Sequence, residues 1–190
     1  MEKIKIVALV GSLRKGSLNR QLAVEAGKIL QRLAESKYLL EFEIPDYSDV
    51  PLFNQDIERP APLPVERLRG IVKSANGIWF FTPEYNHFFP GVLKNLIDWL
   101  SRPISENEPQ VLLGMPAAIS GITPGISGTL LAQDHLVTLL SFLNMRIMNQ
   151  PRLTIPNALQ QADSEGNLKL TQSASFLEKQ AKSFLDYINN

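Results

Sequence analysis

A chain of 190 residues with 19 Lys+Arg against 19 Asp+Glu carries no net charge, which argues against a dedicated nucleic-acid binder, since those need a basic excess. Cysteine is absent, so disulfide frameworks, thiolate nucleophiles and Cys-ligated zinc or iron–sulfur centres are excluded. An apolar fraction of 44% suits one globular domain over residues 1–190, with core enough to fold without a metal, and no run is long enough for a membrane span.

Ile4 to Val10 is β-branched and nearly all apolar, as in a parallel strand covered on both faces. It lacks a cleavage pattern, so it reads as a strand and not a signal peptide, and the expected location is the cytoplasm. A turn from Gly11 to Ser17 leads into a helix from about Leu18 to Ser36, marked by Leu22, Ala26, Ile29 and Leu33. Leu39 to Ile44 alternates and predicts the second strand. The irregular stretch Pro45 to Pro64 holds five prolines, and a loop of that length is usually functional or covers something. Val65, Leu68, Ile71 and Val72 predict a short amphipathic helix, and Gly77 to Thr82 the third strand. After a loop from Pro83 to Phe89, Pro90 opens a helix whose stripe is Leu93, Leu96, Ile97 and Leu100. Pro116 to Ser120 predicts the fourth strand, Gly121 to Gly128 a loop and Leu130 to Phe142 a helix. A fifth strand falls within Arg146 to Ile155, where Pro151 argues for an edge or a bend. Residues 156–170 read as polar loop, and a last helix carries Phe176, Phe184, Leu185 and Ile188.

This alternation implies an open parallel sheet with helices on both faces, whose ligands sit beyond the carboxyl ends of the strands. The loops after strands one, three and four therefore converge on one edge. The first, Gly11 to Arg20, offers backbone N–H groups, the hydroxyls of Ser12 and Ser17, Asn19 and the planar fork of Arg14, which suit a terminal phosphate monoester. It lacks the Walker lysine and the second glycine of the dinucleotide fingerprint, and it also reads as a helix start with Ser17 as N-cap. The second, Thr82 to Gly91, is stiffened by Pro83 and Pro90 and can set backbone groups and Tyr85 against a flat heterocycle. Its Phe89 reads as a core plug. The third, Ser120 to Gly128, allows close backbone approach or is a surface turn.

These residues resemble the NAD(P)H-dependent FMN reductase family, the flavodoxin-like group with bacterial quinone and chromate reductases. The first loop is similar to its Gly-Ser-x-Arg-x-x-Ser-x-Asn pattern at Gly11, Ser12, Arg14, Ser17 and Asn19. Pro51 to Asp56 resembles another family stretch, and Thr82 to Asn86, Pro90 to Asn95 and Ile97 to Trp99 resemble its most specific signature. The resemblance covers roughly residues 4–150. It implies a five-stranded sheet in the order 2-1-3-4-5. It implies FMN with its phosphate on Ser12, Arg14, Ser17, Leu18 and Asn19, and its ring against Pro83, Glu84, Tyr85 and Asn86, closed by Ser120 and Gly121. NADPH or NADH would be the donor, and quinones, azo or nitro compounds or oxidised metal ions such as chromate the acceptors. No side-chain acid or base is obligatory, since the redox chemistry belongs to the cofactor, and His87 reads as a loop histidine.

The chain departs from the family pattern at Phe88, where serine is common, and in the third loop, which lacks the usual arginine. Both changes predict a more apolar substrate side. They also keep open an FMN-binding electron carrier or sensor without reductase activity. A phosphate-handling protein of the same fold is disfavoured, because a receiver needs aspartate where Thr82 stands and a phosphatase needs cysteine. The resemblance also implies a homodimer or homotetramer through helices beside the flavin. The helix Pro90 to Arg102, with Trp99, Leu100 and an Asp98–Arg102 pair, reads either as that interface or as core-facing.

Overall fold

β1 (Glu2–Val10) forms the centre of a parallel sheet because its side chains alternate between two apolar layers. Ile4, Ile6, Ala8 and Val10 face one layer, Val7 and Leu9 the other. In the computed structural model, which describes residues 1–35 and 37–189, the other elements follow in chain order. They are α1 (Leu18–Ala34), β2 (Tyr38–Glu43), a 3-10 turn (Gln55–Ile57), α2 (Leu63–Lys73), β3 (Gly77–Phe81), α3 (Gly91–Leu100) and β4 (Pro116–Ile122). Then come α4 (Leu130–Phe142), β5 (Arg146–Ile147), β6 (Leu153–Ile155), a second 3-10 turn (Ala158–Gln161) and α5 (Ala174–Ile188).

The strand order is 2-1-3-4-5, with β6 also on β4, and every pairing is parallel. This is the flavodoxin-like sheet. The layer holding α1 and α5 contains Leu22, Ala26, Trp79, Phe81, Leu177 and Phe184. The layer of α2, α3 and α4 contains Leu68, Phe80, Leu93, Leu96, Ile119 and Leu136.

Several boundaries differ from the sequence expectation for physical reasons. β1 begins two residues early, at Glu2, because Lys3 and Lys5 reach across to Glu41 and Glu43 at 2.7–3.0 Å and extend the pairing with β2. The expected end of the first helix at Ser36 lies outside the described residues. β4 runs two residues past its expected end, to Ile122, so Gly121 is strand and not loop. The expected fifth strand is broken into β5 and β6 around Pro151, which has no ladder donor.

The proline-rich stretch is tied down over α3. Asn95 Nδ2 and Trp99 Nε1 both donate to the Pro51 carbonyl, at 2.9 and 2.8 Å, and Asn95 Oδ1 accepts from Phe53 N–H at 2.7 Å. Trp99 and Leu100 are therefore buried in their own core, which rules out an interface built on them. The Asp98–Arg102 pair does not form either. Asp98 is taken by Lys94 at 2.8 Å, and Arg102 reaches Glu58 at 2.9 Å. Among the described residues no helix is long and apolar enough to cross a membrane.

Candidate functional site

The strand order reverses between β1 and β3, and their carboxyl ends send one chain toward α1 and the other toward α3 on the opposite face. Gly11 is at this fork. Its N–H donates to Phe81 O at 2.8 Å, and a Cβ there would crowd Pro83 and Leu93, each at 3.3 Å. Glycine thus lets the first two loops close on each other.

A cleft of about 260 Å³ lies between them. One wall is Ser12, Arg14, Ser17, Leu18 and Asn19; the other is Pro83, Glu84 and Tyr85, with Ile122, Thr123 and Pro124 at the far end. Eight of the eleven residues expected from sequence are brought together here.

The first wall is built around the start of α1. Ser17 Oγ caps the helix by accepting from Arg20 N–H at 3.3 Å, so the N-cap reading holds, while the remaining first-turn N–H groups lack intrahelical acceptors. Arg14 is exposed and, among the described residues, its guanidinium donates only to Gly16 O, at 2.9 Å, which leaves most of its fork available. Asn19 has a different task from the one expected. It is buried, donates from Nδ2 to Ile122 O at 2.9 Å and accepts at Oδ1 from Ile122 N–H at 3.1 Å. Its side chain bolts the helix start to the end of β4, so what it offers a ligand is backbone.

The second wall is a tight hairpin. Tyr85 and Phe88 exchange backbone hydrogen bonds at 3.0 Å, and Asn86 and His87 between them have φ of 52° and 61°, a two-residue turn of the kind that favours asparagine. Asn86 is consequently an exposed turn residue next to Tyr85, outside the cleft lining. Tyr85 is 55% exposed at the cleft, whereas Phe89 is a core plug as expected. Phe88 stacks on His135 of α4, centroids 4.3 Å apart, so the apolar substitution is anchored beside the cleft.

Glu84 fastens this wall to the third loop. Its Oε1 accepts from Ser127 Oγ at 2.7 Å and its Oε2 from Ala132 N–H at 3.0 Å, in the first turn of α4. Burial pushes the carboxyl up, but these bonds, with a smaller contribution from His87, outweigh it and hold Glu84 below the usual carboxylate range. The third loop is no free turn: Thr123 N–H donates to Ile155 O at 3.0 Å and Ala158 N–H to Thr123 O at 3.0 Å.

Ser120 is also outside the cleft lining. Strand alternation turns its side chain toward α5, where Oγ accepts from Trp79 Nε1 at 2.8 Å and donates to Gln180 Oε1 at 2.6 Å. It is fully buried, and so is Gly121, whose missing side chain makes room for Thr129. Their expected place is filled by Ile122, Thr123 and Pro124, which the sequence put in the third loop without singling them out. The cleft thus offers a cationic, hydroxyl-bearing end and a flat end with an exposed tyrosine. Those two ends fit a phosphate joined to a planar ring.

The profile of the NADPH-dependent FMN reductase family matches residues 4–160. The chain is 37% identical to a 2-hydroxy-1,4-benzoquinone reductase of Burkholderia sp over 175 residues, 92% of this chain and 91% of that one. It is 37% identical to an NAD(P)H-dependent FMN reductase of Pseudomonas aeruginosa over 180 residues, 94% of this chain and 92% of that one. Its fold is similar to FerB, a flavoenzyme NAD(P)H:(acceptor) oxidoreductase of Paracoccus denitrificans, with a TM-score of 0.81 at 35% identity over 98% of this chain and 97% of that one. The fork at Gly11, the cleft and these likenesses agree: the chain belongs to the NADPH-dependent FMN reductase family.

Proposed function

We propose that residues 1–190 are a single FMN-dependent oxidoreductase unit that takes electrons from NADPH or NADH and delivers them to quinone-like acceptors at the described cleft. The carrying observation is the joining of Ser12, Arg14, Ser17, Leu18 and Asn19 to Pro83, Glu84 and Tyr85 around one cavity at the point where strand order reverses.

Arg14 and the Ser12 and Ser17 hydroxyls receive the flavin phosphate, with the N–H groups of Leu18 and Asn19 at the positive end of α1. Pro83, Glu84 and Tyr85 border the ring, Glu84 through its backbone because its carboxylate is spent on α4. When bound, FMN supplies two-electron transfer between pyridine nucleotide and acceptor. The residues of the chain bind and orient, and Phe88 with His135 gives the entrance an apolar, aromatic side suited to planar acceptors.

The test has two parts. A yellow chromophore released by heat should have the mass of FMN, and NADPH added under argon should bleach it within seconds. An unchanged spectrum with FMN present would favour the electron carrier or sensor instead.

A homodimer is also part of this reading, with α4 as its interface. Leu130, Leu131 and Phe142 of this helix are left exposed, Phe142 at 80%. Phe142→Asp should shift the sedimentation coefficient to that of a monomer, and a wild type already monomeric at micromolar concentration would reject the dimer.

A further inference from the structure

On the other side of Arg14 from the cleft lies a second hollow of about 430 Å³, between the first loop and the turn after β2. Ser12 and Arg14 line both cavities; Lys15, Arg20, Asp46 and Tyr47 line only the second of them. It continues past Lys15 and Arg20 into a shallower hollow of about 310 Å³, lined also by Gln21, Val24, Glu25 and Leu168. A trough thus runs from the candidate FMN cleft, beside three cations, to an end of mixed polar and apolar character.

Its positive charge is only partly offset from within. Asp46 accepts from its own Ser48 N–H at 2.9 Å and lies near Arg20 without an ion pair. Glu25, at the far end, is paired with Lys28 at 2.7 Å. Among the described residues neither Lys15 nor Arg20 takes part in a salt bridge, and both are exposed. The Tyr47 hydroxyl is not a donor to any guest, because it is buried and donates to the Val10 carbonyl. What faces the hollow is the Arg20 guanidinium and the Lys15 ammonium against the single carboxylate of Asp46, with Arg14 shared between two anion positions. That set recognises a dianionic phosphate. The apolar surface of Val24 and Leu168 beyond it suits a purine.

We infer that this trough is the donor-selecting site of the reductase: Lys15 and Arg20 hold the 2′-phosphate of NADPH, and the adenosine lies along α1. The inference rests on the proposed FMN site, because Arg14 is the wall common to both. It makes the chain prefer NADPH over NADH through residues that do not touch the flavin ring.

The probe is adenosine 2′,5′-bisphosphate, titrated by calorimetry into the FMN-loaded protein, with adenosine 5′-monophosphate as the comparison. The bisphosphate should bind at least about tenfold more tightly, and Lys15→Ala and Arg20→Ala should each remove most of that advantage. The same variants should lower the NADPH-to-NADH ratio of kcat/KM by about tenfold, and Arg20→Lys should restore part of it. Both side chains are exposed, so the variants should melt like the parent. Equal affinity for the two adenylates, or a preference untouched by both substitutions, would overturn the inference. FAD binding tighter than FMN and weakened by these substitutions would assign the trough to a flavin adenylate and also overturn it. A protein that takes up FMN normally yet shows no bisphosphate preference loses this inference alone. One that takes up no FMN loses the proposed function, and this inference with it.

Discussion

The two walls of the cleft solve opposite problems. The wall from Pro83 to Phe89 is spent internally: its hairpin closes on itself, Glu84 is fastened to Ser127 and Ala132, and Phe89 is buried. The wall from Ser12 to Arg20 keeps its charged groups uncommitted and is secured from behind, by Asn19 on Ile122 and by the Ser17 cap. A flat ring needs a rigid surface whose shape is ready before binding. A phosphate needs unpaired donors, which are tolerable only where water reaches them. The difference therefore separates residues whose loss should harm the fold from residues whose loss should harm binding.

The largest effect should come from Gly121→Ala. An added Cβ would lie 2.1 Å from Thr129 Oγ1 and 2.4 Å from the Thr82 carbonyl, forcing the third loop away from the second. A loss of about 3 kcal/mol in urea denaturation is expected, and a variant as stable as the parent would show that the two loops are not packed through this point.

Asn19→Ala should follow. It strands a buried N–H and a buried carbonyl of Ile122. About 2–3 kcal/mol of stability should be lost, together with FMN affinity, because the helix start is released from the sheet. If only FMN affinity falls, Asn19 belongs with the ligand-facing groups and the division between the walls is misplaced.

Arg14→Ala should do the reverse. Its stability should stay within about 0.5 kcal/mol of the parent, since the side chain is exposed. FMN should bind about tenfold to a hundredfold more weakly, read by flavin fluorescence. Unchanged affinity would move the phosphate elsewhere.

The smallest effect belongs to Glu84→Gln and sharpens the comparison through pH. The folded carboxyl titrates below its unfolded value of 4.5, so its contribution is full above that pH and is lost as pH falls through the lower folded value. The stability gap between parent and variant should therefore be widest near neutrality and close in acid. A gap that stays constant down to acid would mean the carboxylate charge at the start of α4 does not stabilise the fold.

Much of this was legible in the chain. The apolar runs of β1 and β3 and the helical stripes of α1 and α3 are local patterns, and burial on a parallel sheet dictates them residue by residue. The candidate phosphate loop could be proposed because its chemistry is contiguous, from Ser12 to Asn19. β4 extends two residues beyond its expected end at Ser120, and strand parity turns the Ser120 hydroxyl to Trp79 and Gln180. Nothing within Pro116 to Gly121 signals that extension; the pairing with β6 supplies it.

By itself the sequence determined the strand–helix alternation, through short-range spacing, and the family, through contiguous motifs; the residues proposed for the phosphate wall come from the same contiguous stretch. Tertiary structure alone decided that Asn19 is a bolt, that Phe142 of α4 is exposed while Trp99 and Leu100 of α3 are buried, and that Lys15 and Arg20 share a trough with the turn at Asp46. These depend on which distant groups share one place. Packing settles that question; periodicity cannot.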